Sequence, residues 1–141
     1  MPKTFTAPFA QTPKTGFAVV TAANATLTNN GSTEPDDTVL LLTAGSNGAI
    51  VTRIYATGRV TTTANALYLY LSKDTGTNKY LIYQLQMTVG TVSATAAIGP
   101  SFFTAITETT PMRLEAGDQI YAANGTAFAS GVVFMAEFTD F

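Results

Sequence analysis

Histidine, cysteine and tryptophan are all missing from this 141-residue chain, and charged residues make up only 11% of it. Without cysteine there can be neither disulfides nor thiolate metal sites. Without histidine the commonest general base is gone, and with it every Ser-His or Cys-His nucleophile. The seven cations (Lys3, Lys14, Arg53, Arg59, Lys73, Lys79, Arg113) are scattered and the net charge is −2. Nucleic-acid binding needs cations set along a phosphate track, so no nucleic-acid partner is expected. No run approaches the ~18 apolar residues of a membrane helix, and Met1-Pro2-Lys3-Thr4-Phe5 has no apolar signal core. The expectation is a chain made in a cytoplasm, with no membrane partner.

The remaining chemistry is thin. A glycosidase holds two carboxylates ~5–10 Å apart across a cleft. Asp36 with Asp37, and Glu115 with Asp118, are the nearest approaches to such a pair. Neighbouring carboxylates point apart on a strand, and Glu115 and Asp118 flank a turn signal, so both sets read as turn caps. No catalytic residue and no enzymatic activity are expected. Glu34-x-Asp36-Asp37 and Asp74-x-Gly76-x-Asn78 offer oxygen ligands, yet neither has the spaced acidic pattern of a calcium loop. They read as a capped loop and a hairpin turn, so no metal and no cofactor is expected. Gly45-Ser46-Asn47-Gly48 lacks the lysine and helix of a phosphate loop. The sequons at Asn24, Asn30 and Asn124 read as strand and turn residues of a threonine-rich chain.

Hydrophobic residues reach 46%, against a charged share less than half the usual ~25%. Low charge gives little mutual repulsion between copies, which favours an oligomer or a larger assembly. One domain of this length buries most of its apolar surface. Residues 1–16 form a separate leader in which Pro2, Pro8 and Pro13 oppose helix. Either it is a loose tail, or it is an extended arm that lays Phe5 and Phe9 into pockets on a neighbouring subunit. Residues 17–141 form the folded domain.

Within that domain strand signals succeed one another. Strands are expected over 17–27, over 38–43 (apolar on both faces, hence central) and over 49–57. A hairpin follows, with Leu67-Tyr68-Leu69-Tyr70-Leu71 and Tyr80-Leu81-Ile82-Tyr83-Gln84-Leu85 joined by residues 73–79. Alternation puts the leucines inward and Tyr68 and Tyr70 outward, where they would meet a neighbour. An odd connection places Leu67, Leu69 and Leu71 on one face with Leu81, Tyr83 and Leu85; it also sets Lys73 opposite Lys79. Residues 88–101 read as a broken edge strand and loop, and Phe102, Phe103 and Ile106 as a return to the core. Residues 116–118 read as a tight turn. The last strand, 131–138, alternates Val132, Phe134, Ala136 and Phe138 against Val133, Met135 and Glu137. No segment has helical period. The expected fold is all-β: an antiparallel sandwich, a jelly roll of about eight strands, preceded by the arm. The immunoglobulin pattern of Cys…Trp…Cys is absent.

Exposed tyrosines and asparagine-bearing loops (Asn30, Asn78, Asn124) also suit sugar binding, whereas low charge suits a protein interface. Several stretches resemble one class of proteins. They are Lys3-Thr4-Phe5 to Pro13-Lys14-Thr15, Thr38-Val39-Leu40-Leu41-Leu42-Thr43-Ala44-Gly45, Leu71-Ser72-Lys73-Asp74, Thr110-Pro111-Met112-Arg113-Leu114-Glu115-Ala116-Gly117-Asp118-Gln119-Ile120-Tyr121 and the ending Ala136-Glu137-Phe138-Thr139-Asp140-Phe141. Together they resemble small jelly-roll virion proteins of tailed bacteriophages and phage-derived gene transfer particles. The resemblance implies a capsid decoration (cement) protein, or a head, spike or tail accessory protein. It implies location in the virion, the major capsid protein or another virion protein as partner, and a homotrimer. The subunit interface is then expected at Phe5, Phe9, Tyr68 and Tyr70.

Overall fold

Alternation is cleanest in the last strand, β9 (Val132–Asp140), where every second residue from Val132 to Asp140 is buried and those between are half-buried. A strand so patterned must have a core on one side only, and its neighbours supply it. In the computed structural model, which describes residues 12–24 and 37–141, β9 pairs on one side with β1 (Thr12–Val20) and on the other with β3 (Ala49–Gly58). Next to β3 lie two short strands, β6 (Ser101–Phe102) and β7 (Met112–Leu114), each paired to a different part of it. This is sheet one. Sheet two runs β2-β8-β4-β5, built from β2 (Val39–Thr43), β8 (Gln119–Asn124), β4 (Ala66–Ser72) and β5 (Tyr80–Gln86). All ladders between these strands are antiparallel. Among the described residues there is no helix.

The two sheets pack into a β-sandwich. Phe134, Ile54, Val51, Val20 and Val132 of sheet one and Leu67, Leu69, Ile120 and Leu42 of sheet two form its core, with Phe103 and Ile106 closing one side. One set of pairings is nested, β4 with β5, β3 with β6 and β7, β2 with β8, and β1 with β9, while the β3–β9 and β4–β8 ladders join these pairs into the two sheets. The first described strand therefore lies beside the last.

Several expectations need correction. Regular pairing begins at Thr12, inside the expected 1–16 leader, and β1 ends at Val20 instead of reaching residue 27. Pro13 is tolerated there because β1 is an edge strand, where a missing N–H costs no inner ladder bond. Phe5 and Phe9 lie outside the described residues. β2 is an edge strand and not a central one. A register break between Leu40 and Leu42 turns both Leu41 and Leu42 inward while Leu40 faces out. A bulge, rather than burial on two faces, produced its run of leucines.

The β4–β5 hairpin keeps the expected register at Leu67↔Leu85 and Leu69↔Tyr83, then slips. Beyond Leu69 the partners are Tyr70↔Leu81 and Leu71↔Tyr80, so one extra residue turns Leu81 to the outer face and leaves Ile82 and Tyr83 against the core. Phe102 is also on the outside, while Phe103 and Ile106 enter the core as expected. The turn at residues 116–118 forms: Gly117 has φ +77° and Asp118 N–H donates to the Glu115 carbonyl at 3.1 Å.

The sandwich closes most tightly at Gly16, where β1 crosses β2. A Cβ there would stand 2.3 Å from the Leu41 carbonyl oxygen, a backbone atom that cannot swing away. Gly16→Ala is expected to lower stability by about 1–3 kcal/mol in thermal or urea unfolding, as overpacking of a filled site does. Gly99→Ala, with nothing within 4 Å of the added methyl, serves as the neutral control.

Candidate interaction surface

The tyrosine stripe expected to meet a neighbour is covered by the chain itself. Tyr70 is fully buried and Tyr68 nearly so, in a small outer cluster on sheet two with Ala123, Ala66, Leu81 and Tyr121. Asn24, just after β1, donates from Nδ2 to the Tyr70 hydroxyl at 2.8 Å, and its N–H donates to the Asn124 carbonyl at 2.7 Å. The chain thus passes from sheet one to the edge of sheet two and sets Asn24 against Tyr70. Burial pushes the Tyr70 phenol up to about 12, partly offset by the Asn24 hydrogen bond and reinforced by neighbouring Tyr68.

The hairpin tip is also occupied. Lys73 Nζ reaches Asp118 at 3.0 Å and Glu115 at 3.1 Å, which raises its pKa and ties the tip to the β7–β8 turn. Lys79 Nζ stands 4.8 Å from the centre of the Tyr121 ring, so the two lysines do not oppose one another. The Asp74 carboxylate accepts from Ser72 Oγ, Asn78 N–H and Asn78 Nδ2, and these hydrogen bonds hold its pKa below the usual value. Asp74-x-Gly76-x-Asn78 is a self-capped turn. Asn124 is wholly buried, its Nδ2 donating to the Val20 carbonyl, so it belongs to no recognition loop. Asn30, like Glu34 and Asp36, lies outside the described residues.

Exposed apolar residues also occur singly at Leu40, Tyr80 and Val89, but on the outer face of sheet one Phe17, Val19 and Phe102 share one surface. Directly opposed residues of an antiparallel ladder share a face. The registers Phe17↔Met135, Tyr55↔Met135 and Tyr55↔Phe102 therefore draw one row, Phe17-Met135-Tyr55-Phe102, across β1, β9, β3 and β6. Phe17 is 60% exposed and Phe102 43%. Inside the row the Tyr55 hydroxyl donates to Met135 Sδ at 2.7 Å, and the Tyr55 and Phe102 rings lie 5.4 Å apart. Val19-Val133-Thr57 forms the row on one side, and Thr15-Glu137-Arg53 the row on the other. Arg53 Nε lies 3.5 Å from Glu137, and its guanidinium sits 5.9 Å from the Phe102 ring centre. A break in register at Val51/Arg53 gives β3 its extra residue there.

Beside this row is a hollow of about 270 Å³. Ile54, Phe103 and Ile106 are its buried lining, while Arg53, Glu108 and Glu137 stand at its rim. Thr52, Thr104 and Thr107 also line it. Among the described residues no group of three or more acidic side chains is placed to hold a metal ion. No helix among them is long and apolar enough to cross a membrane.

Sequence reasoning missed this surface because it depends on pairings between residues 47 to 118 positions apart. The signal was nonetheless present in β9, whose outward set includes Val133 and Met135 and only one charge, Glu137. No protein-family model matches the chain, and no curated protein matches it.

The buried phenol supplies a pH test. Its folded value of about 12 lies above the ordinary 10, so the folded state keeps a proton that the unfolded chain releases. Its contribution is complete below pH 10 and declines as pH rises toward 12, by about 2–3 kcal/mol at 1.36 kcal/mol per pKa unit. Denaturant melts between pH 7 and 12 should show this loss. Tyr70→Phe should be less stable at pH 7 by about 1 kcal/mol and should have a shallower alkaline decline.

Proposed function

We propose that the chain is a structural protein of a virion, most simply a decoration protein that binds the assembled capsid shell and holds it together through protein–protein contacts. The observation that carries this reading is the outward Phe17-Met135-Tyr55-Phe102 row, exposed at Phe17 and Phe102 and half-buried between them, on a sandwich of very low charge. Monomeric proteins seldom leave contiguous aromatic and thioether surface in water without using it. Interface cores are rich in aromatics and methionine and poor in lysine and acidic residues, which is the chemistry of this row. We read the nested strand pairing as a jelly roll, in keeping with the virion proteins that the sequence resembles. The major capsid protein is then the partner, and the virion the location.

The mechanism is linkage. A protein that binds the assembled lattice but not the free subunits shifts the equilibrium toward the lattice. Several copies joined to one another multiply the effect, since each later contact is effectively intramolecular. No group-transfer chemistry enters. The competing reading, a tail or spike module that binds a host receptor or glycan, loses support with Asn124 buried and the tyrosine stripe covered.

The test is to mix the purified chain with emptied shells of the particle that carries it. Co-sedimentation at a fixed number of copies per lattice unit is expected, with decorated shells surviving several degrees more heating than bare ones. Binding to host cells or a glycan array, with none to shells, would replace this reading by the receptor-binding one.

A further inference from the structure

We infer that the outer face of sheet one pairs with the same face of a second copy of this chain, about a two-fold axis that runs along the strands between β9 and β3. This rests on the reading of that face as a docking surface and names its occupant. The order across the sheet is β1-β9-β3-β6, so an axis between the two central strands exchanges β1 with β6 and β9 with β3. In the apolar row this sets Phe17 of one copy over Phe102 of the other, and Met135 over Tyr55. Both are favourable contacts, one aromatic on aromatic and one thioether on ring.

Charge selects the same axis. In the neighbouring row Glu137 lies on β9 and Arg53 is its direct partner on β3. The exchange sets each Arg53 over the partner copy's Glu137, so the two pairs close into a square of alternating sign. A two-fold axis running across the strands through that row would instead set like charges on each other, a juxtaposition that costs several kcal/mol at an interface. An isologous contact needs a self-complementary patch, and this face has one in both shape class and charge. The strands of the two copies stay aligned, one of the two standard geometries for sheets packed face to face.

The size of the patch bounds its strength. Four strands spaced about 4.8 Å apart, and three rows repeating every ~6.8 Å, give a face of about 400 Å² per copy. Two such faces bury about 800 Å², below the roughly 1,200–2,000 Å² of stable complexes. The pairing is therefore weak in free solution and fills when copies are concentrated, as on a shell. It counts copies in twos, where the resemblance implies threes.

Sedimentation of the full chain across a wide concentration range reads this directly. The apparent mass should rise from 14.8 kDa toward twice that value. Arg53→Glu makes the charged row wholly acidic and Glu137→Arg makes it wholly basic, so each variant alone should remain monomeric. An equimolar mixture of the two should dimerise again, at least as tightly as the unaltered chain. Mixing restores contacts between copies and not the pair within each chain, so recovery cannot come from repaired folding. A melt of each variant checks that it folds; should either fail, Phe17→Ser with Phe102→Ser is the substitute pair of changes, expected to abolish the dimer. Monomer at every concentration overturns the inference, as does a trimer or a dimer that the single variants leave intact, or a mixture that fails to recover. A chain that dimerises by this charge rule but ignores shells retires the virion reading and keeps the pairing. A chain that coats shells while remaining monomeric in concentrated solution overturns the pairing alone.

Discussion

The ladder that joins β1 and β3 to the two sides of β9 is the constraint on which the rest of this molecule depends. Among the described strands β9 alone alternates unbroken for nine residues, and its inner side chains, Phe134 above all, sit where both sheets converge. Phe134, Val132 and Ala136 are fully buried, and burying a large apolar side chain stabilises by roughly 1.5–3 kcal/mol. Because the inner set is fixed by the core, the outer set is fixed as well: Val133, Met135, Glu137 and Thr139 have no choice of side. The outward face is thus a by-product of the same period that builds the core. Its composition was free to vary: two rows are mainly apolar, the next sets Glu137 beside Arg53, and the one after that carries Thr139 and Arg113.

Closing the fold falls to small residues and polar clasps. At one end Asp140 accepts from the Gly45 N–H and from Lys14, joining β9 to β1 and to the turn after β2. At the other end Asn24 links Tyr70 to the end of β8, and Asn124 Nδ2 reaches the Val20 carbonyl. Each of these buried amides donates to a group on an element distant in sequence, so together they define which sheet edge meets which. Gly16 lets the two edge strands β1 and β2 approach to backbone contact. Exposed edges invite pairing with other chains, and here the edges at β1 and β2 lean on each other.

How much was legible follows from what a period can report. Two-residue alternation marked the last strand and sorted its side chains into two sets, leaving open which set faced the core, and Gly117 with Asp118 announced the turn before β8. The class of fold followed, because nothing had helical period and strand signals recurred at short spacing. Three bulges were invisible, since an inserted residue leaves no mark in composition. Leu41 with Leu42, Arg53 after Val51, and Ile82 with Tyr83 each shifted a face. Alternation also states that Tyr68 and Tyr70 share a face, and not what covers that face. Asn24, 46 residues away from Tyr70, decided the matter, so the tyrosines became a second small core. The docking row was hidden for the converse reason: its four residues come from four strands, and only the register aligns them.

A face of this kind makes sense when its weakness is considered together with its geometry. Two apolar rows are too small to hold a lasting dimer, and the low charge of the chain leaves little repulsion to keep copies apart. Between these limits lies a protein that is separate when dilute and joined when crowded. A repeating support supplies crowding without any change in the chain, because each bound copy raises the local concentration of the next. The Arg53–Glu137 row then sets direction instead of strength. Apolar contact alone would accept several angles between two flat faces, whereas a pair of opposite charges placed off the axis accepts one. Orientation from a few charges and cohesion from a few rings is a division of labour that needs no pocket, no metal and no catalytic group.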